Sequence, residues 1–223
     1  MGIFTSKKEG AGIPAPSGGF ERYFYILHTH FFKLVGLNIL TLLFSLPVLT
    51  APAALCAADR VYVLLIKDGN CFLWQDFIKE FREELFRLIL PGALFGLFIF
   101  SGYFFMSLGK GNSVYLGWSS LFWMLGILMS VLGIAWGRYT SVLAAMQPLP
   151  VTKLMKNAAL LCAMSPARAA SVAAVTAAAV FAAAVLMPVF IVAIALIWVA
   201  FIQYTSCFIV YEQAERYVIA GEE

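Results

Sequence analysis

The chain has 223 residues, of which 62% are hydrophobic and 12% charged, where a soluble domain carries about 25% charged residues. The apolar residues fall in long blocks divided by short charged stretches, which excludes an ordinary soluble domain, and no block alternates apolar with polar residues as a β-barrel strand would. The net charge of +3 is localised at the block boundaries, which argues against nucleic-acid binding.

Residues 1–19 are polar and rich in Gly and Pro, which predicts a flexible cytoplasmic tail. A bilayer core needs roughly 20 apolar residues in a helix, and a first span is expected over 31–49. Pro47 and Pro52 break that helix and turn the chain. Residues 51–66 follow at once, rise only about 24 Å as a helix, and hold Asp59 and Arg60; they read as a short tilted span or a re-entrant helix. Over 72–87 the apolar residues Phe72, Leu73, Phe77, Phe81 and Leu85 recur at helical spacing among charged ones. This predicts an amphipathic helix, with Trp74 near its start, at the cytoplasmic membrane surface. Further spans are expected over 88–108 and 114–136, joined by the tight loop 109–112 and followed by Arg138 and Tyr139 as interfacial anchors. The polar stretch 147–168 leads to closing spans at 169–187 and 189–211, meeting at Pro188.

The expected architecture is all-α. It is a polytopic transmembrane helical bundle of about six membrane segments, the second short and irregular, plus the cytoplasmic amphipathic helix. A single membrane domain covers 20–217, with tails at 1–19 and 218–223. Basic residues cluster in three regions, carried by Lys7, Lys8, Arg22 and Lys33, by Lys67, Lys79, Arg82 and Arg87, and by Arg138, Lys153, Lys156 and Arg168. Lys110 stands alone opposite them. The three regions share one side if 51–66 crosses; the positive-inside rule then places them and both termini in the cytoplasm, and so favours crossing.

Asp59 and Arg60 are candidate intramembrane charges. Such groups are costly in lipid and face protein or water. They read either as a solute or gating site or as charges neutralised structurally, and neighbours on a helix point about 100° apart, so they need not pair with each other. His28 and His30 share no helix face and have no carboxylate cluster, so they read as interfacial rather than metal-binding. Cys56, Cys71, Cys162 and Cys207 are far apart and form no CxxC pair. Ala170, Ala174, Ala178 and Ala182 form a smooth stripe for helix packing or for a homo-oligomer contact. No phosphate loop, Ser/His/Asp order, HExxH or intramembrane carboxylate pair is present, so neither an enzyme nor a metal or cofactor site is expected.

The run Leu46-Pro47-Val48-Leu49-Thr50-Ala51-Pro52-Ala53 resembles the L-P-V-x-T-x-P-A signature of the YesL-like family of bacterial membrane proteins. Trp74-Gln75-Asp76-Phe77 with Phe81 and Arg82 is similar to that family's aromatic, charged helix. Ala51 departs from the glycine found there in many relatives. The resemblance implies an inner-membrane protein of uncharacterised activity, linked to carbohydrate uptake of the ABC type, and supplies no site residues. The functional expectation is a non-enzymatic accessory protein that docks a sugar permease or membrane sensor through the amphipathic helix, with Trp74, Phe77, Phe81 and Arg82, and through the stretch 147–168. A small transporter or channel using Asp59 and Arg60 is the alternative.

Overall fold

The computed structural model describes residues 19–111 and 116–215, with side chains at 21–47, 49–110, 119–178 and 201–215. Among the described residues there are eight α-helices, one 3₁₀ turn and no strand. Helix α1 (Gly19–Thr29) meets α2 (Phe31–Ser45) at a 77° bend. Pro47 stops α2, and a 3₁₀ turn, Val48–Thr50, reverses the chain. There the Thr50 hydroxyl donates to the carbonyls of Phe44 (2.6 Å) and Pro47 (2.8 Å), which have no partner within the helix.

Helix α3 (Ala51–Asp68) starts with Pro52 in its first turn, where a missing N–H costs nothing. It ends at Gly69, whose φ of +67° is a left-handed cap that glycine adopts without strain. It is the central helix, burying residues on every side, among them Cys56, Asp59, Val61, Tyr62 and Leu65. The two ends of the α2–α3 hairpin lie together: Lys33 Nζ donates to Asn70 Oδ1 at 2.7 Å, and Arg22 donates to the Ile66 carbonyl.

Helix α4 (Leu73–Glu84) is the amphipathic helix. The Asp76 carboxylate accepts from the Phe72 backbone N–H at 2.8 Å and caps its start. Part of its apolar face packs on the bundle. Phe77 is fully buried and stacks with Phe81 against Phe44 of α2, so α4 lies along the α2–α3 hairpin.

Helices α5 (Ile89–Gly111) and α6 (Leu116–Met146) form a long hairpin. Glycines let the backbones meet: a Cβ on Gly102 would lie 2.7 Å from the Gly126 carbonyl oxygen and also collide with Ser130. Helix α5 extends through Gly111, so the expected loop at 109–112 begins later; Asn112 lies outside the described residues. Helices α5 and α6 are long and apolar enough to cross a membrane, and the number of spans rises to four if each of two bent helix pairs counts as one. Helix α3 does not qualify. Its Pro52 abuts Gly92 near the start of α5, while its later residues follow the C-terminal half of α6. Helix α3 and the distal half of the hairpin therefore lie end to end along α6.

The stretch 147–168 is mostly helical: α7 (Val151–Met164) buries Leu154, Ala158 and Leu161. Helix α8 (Pro166–Ala214) is continuous where two spans meeting at Pro188 are expected. It does not run straight. Forty-nine residues would extend about 74 Å, yet Gln213 near its end donates to the carbonyl of Leu161, just before its start, at 2.9 Å. Thr176 and Gln203 likewise both lie near Arg138, so the two ends of this helical stretch come together. The alanine stripe does not pack inward. Ala170, Ala174 and Ala178 are exposed, Ala169, Val172 and Ala173 are buried instead, and the side chain of Ala182 lies outside the described residues.

Candidate functional site: a buried ion pair beneath an apolar cavity

Asp59 is fully buried on α3, and the partner it finds is Arg138, not its neighbour Arg60. Arg138 Nη2 donates to Asp59 Oδ1 at 2.9 Å and Nη1 to Oδ2 at 3.1 Å, a bidentate fork. The Ser141 hydroxyl, one turn along α6, donates to Oδ2 at 2.5 Å. Arg138 Nη2 also reaches the Gln203 carbonyl of α8 at 3.4 Å, and Gln203 Nε2 donates to the Leu55 carbonyl at 3.1 Å. One carboxylate thus ties α3 to α6 and, through Arg138, to α8. Arg138 is only 8% exposed, so its expected role as an interfacial anchor is replaced by that of counter-ion. Burying a lone charge is prohibitive, whereas two charges that satisfy each other can be held inside.

Arg60 points elsewhere. Its Nη1 donates to the Ala145 carbonyl at 2.7 Å, and its Nε lies 3.9 Å from the Glu80 carboxylate of α4. Arg87, just beyond α4, donates to Glu84 and to the Leu149 carbonyl between α6 and α7. Helix α4 is therefore pinned by Phe77 and Phe81 on one side and by two charged contacts on the other. Burial pushes the Glu80 carboxyl up to about 7 against the weaker opposing pull of Arg60, and burial likewise raises that of Glu84. Of the four expected docking residues, Trp74 (59% exposed) and Arg82 face outward, whereas Phe77 is buried and Phe81 half-buried.

A cavity of about 340 Å³ opens above the ion pair, between α3, α5, α6 and α8. Pro52, Leu55, Phe95, Gly96, Ile99 and Gly133 make its apolar wall, and Arg138, Thr140, Ser141 and Thr176 its polar side. Two of these hydroxyls are spent inside their own helices: Thr140 donates to the Trp136 carbonyl and Thr176 to that of Val172, both at 2.8 Å. Among the described residues no group of three or more His, Cys, Asp or Glu comes close enough together to hold a metal. His28 and His30 flank the α1–α2 bend. The chemistry on offer is packing, charge neutralisation and a mostly apolar hollow.

The lone-charge pattern could have revealed Arg138. Asp59 is the sole acid between Glu21 and Asp68, and Arg138 the sole charge between Lys110 and Lys153. No protein-family model, curated protein or solved structure matches this chain.

Proposed function

We propose that this protein is a non-enzymatic accessory protein of the bacterial inner membrane, serving a carbohydrate uptake system of the ABC type by docking its permease or a membrane sensor. The supporting observation is the state of α4. It is fixed to the bundle by Phe77, Phe81 and the Arg60–Glu80 contact, and it presents Trp74, Lys79, Arg82 and Glu83 outward. A rigid charged face with one large exposed aromatic suits a protein contact better than a lipid one. The family resemblance of 46–53 and 74–82 supplies the link to sugar uptake. Co-purification of the tagged full chain with neighbouring sugar permease subunits in mild detergent tests it. Recovery of the protein alone counts against the reading.

The membrane arrangement belongs to the same proposal. Because α4 lies along the α2–α3 hairpin with its charges outward, we propose that 31–49 and 51–66 enter from and return to the cytoplasmic side together, the arrangement in which 51–66 brings the chain back. Both ends of the hairpin then share the cytoplasmic side with 67–87 and 138–168, as the basic residues suggest, and both termini are cytoplasmic. Single cysteines at Asn70, Asn112 and Gln147 in intact cells should be labelled from outside at Asn112 alone.

A second reading, a small transporter, is favoured by the cavity against Arg138. It predicts solute flux into proteoliposomes that Asp59→Asn abolishes while the protein stays monodisperse. Absence of flux, or flux indifferent to that change, sinks it.

A further inference from the structure

The cavity above the ion pair has features that neither reading uses. Its wall is almost wholly apolar, made by Pro52, Leu55, Phe95 and Ile134 with Ile99, and Ile99 is 42% exposed to the outside. Such a patch is stable only against hydrocarbon or another apolar surface. The hollow behind it falls at the lower end of the roughly 300–1,000 Å³ typical of ligand pockets. Glycines create the space. Gly96 and Gly133 line it, and a Cβ built on Gly96 would meet nothing within 4 Å.

The polar side selects the ligand's chemistry. A guanidinium has five N–H donors, and Asp59 and the Gln203 carbonyl take three contacts from Arg138. Arg138 lines the cavity with its charge already balanced by Asp59. A second anion brought to that wall would meet the Asp59 carboxylate as well as the guanidinium, so no net attraction awaits it. A neutral hydrogen-bond acceptor attached to a hydrocarbon chain gains the spare donors without that repulsion. In a bilayer the group of that description is the acyl ester of a diacyl phospholipid.

We infer that the cavity holds one acyl chain of a diacyl phospholipid, its ester carbonyl accepting from Arg138 and its methylenes lying along Gly96, Ile99 and Gly133. The inference is independent of whether the protein docks a permease or moves a solute.

The full chain is reconstituted in nanodiscs containing a phosphatidylcholine with a diazirine on its acyl chain, then irradiated, and the labelled residues are mapped. A held chain labels Phe95 and Ile134 inside the cavity, and that labelling survives dilution with excess unlabelled phosphatidylcholine. Labelling of the outward Leu97 and Leu128 is chased away. Gly96→Leu adds a side chain where a Cβ meets nothing within 4 Å, and should abolish cavity labelling while leaving Leu97 and Leu128 unchanged. If Gly96→Leu is not monodisperse, Thr176→Phe fills the opposite wall and serves in its place. Cavity labelling that chases at the rate of Leu97, or that survives the filling substitution, means lipid passing over the surface and overturns the inference. Labelling by diazirine-bearing palmitate in place of the phospholipid also overturns it, because the selected group is then a carboxylate.

Discussion

Arg138 on α6 grips both carboxylate oxygens of Asp59 on α3 across 79 residues of sequence, at 2.9 and 3.1 Å, with Ser141 completing the shell. Such a pair is asymmetric in its energetics. Removing one partner strands a buried charge, at a cost of about 3–5 kcal/mol, whereas replacing both with apolar residues of similar size is often neutral or stabilising by about 1–4 kcal/mol. Asp59→Leu and Arg138→Met should each sharply lower the unfolding midpoint in mixed micelles, and the double variant should recover most or all of the loss. Additive losses would mean that the two groups act separately and that the pair does not lock α3 to α6.

Close backbone approach predicts a graded series at glycine. A methyl on Gly102 collides with Ser130 and the Gly126 carbonyl, and one on Gly92 with the Pro52 ring, while one on Gly96 meets open space. Overpacking costs about 1–3 kcal/mol. Gly102→Ala and Gly92→Ala should therefore destabilise by about that much. Gly96→Ala should be neutral or slightly stabilising, since it also restricts the unfolded chain. Equal losses at all three positions would show that helix propensity, not contact, sets the cost.

Glu80 predicts the pH dependence. Its carboxyl is raised from the ordinary 4.5 to about 7, chiefly by burial. The folded chain therefore holds a proton that the unfolded chain has released across that window, and stability falls as pH rises from about 4.5 to about 7. Glu80→Gln removes the titrating group, so its midpoint should lie above wild type at pH 8 and vary less between pH 5 and 7. Thermal unfolding at three pH values reads this directly. A wild-type midpoint that rises over the same interval would show that the ion pair with Arg60 outweighs desolvation.

Several of these features can be read in the chain and several cannot, for reasons that differ. Helices α5 and α6 are legible because continuous apolar runs have one stable form in lipid. The turn at Pro47 and Pro52 is equally plain. The stripe Leu154, Ala158, Leu161 of α7 has helical spacing too, but the prolines and lysines around it give 147–168 the look of a loop. The amphipathic pattern of 72–87 specifies a half-buried helix without saying what it is buried against. Lipid and the Phe44 side of α2 satisfy the same residues. Asp59 stands out in sequence, yet its partner is fixed only by the way α3 crosses α6, and no local rule encodes that crossing. The exposure of Ala170, Ala174 and Ala178 has the same origin: a smooth stripe can pack, but a neighbouring helix has to be there to meet it.

Helix α4 offers a last separation, between what holds the protein together and what it shows to a partner. Phe77 is fully buried against Phe44 and Phe81, so Phe77→Ala should cost about 3–5 kcal/mol as a cavity opens. Trp74 and Arg82 face outward, and substitutions at such positions stay within about 0.5 kcal/mol. Trp74→Ala with Arg82→Ala should therefore leave unfolding unchanged, and if α4 is a docking surface the same double substitution should abolish co-purification of the permease subunits. Exposed aromatics and arginines dominate protein contacts when they become buried in a partner. Undiminished co-purification would move the contact to another surface. Failure of the double variant to fold would show instead that Trp74 and Arg82 are part of the packing that holds α4 in place.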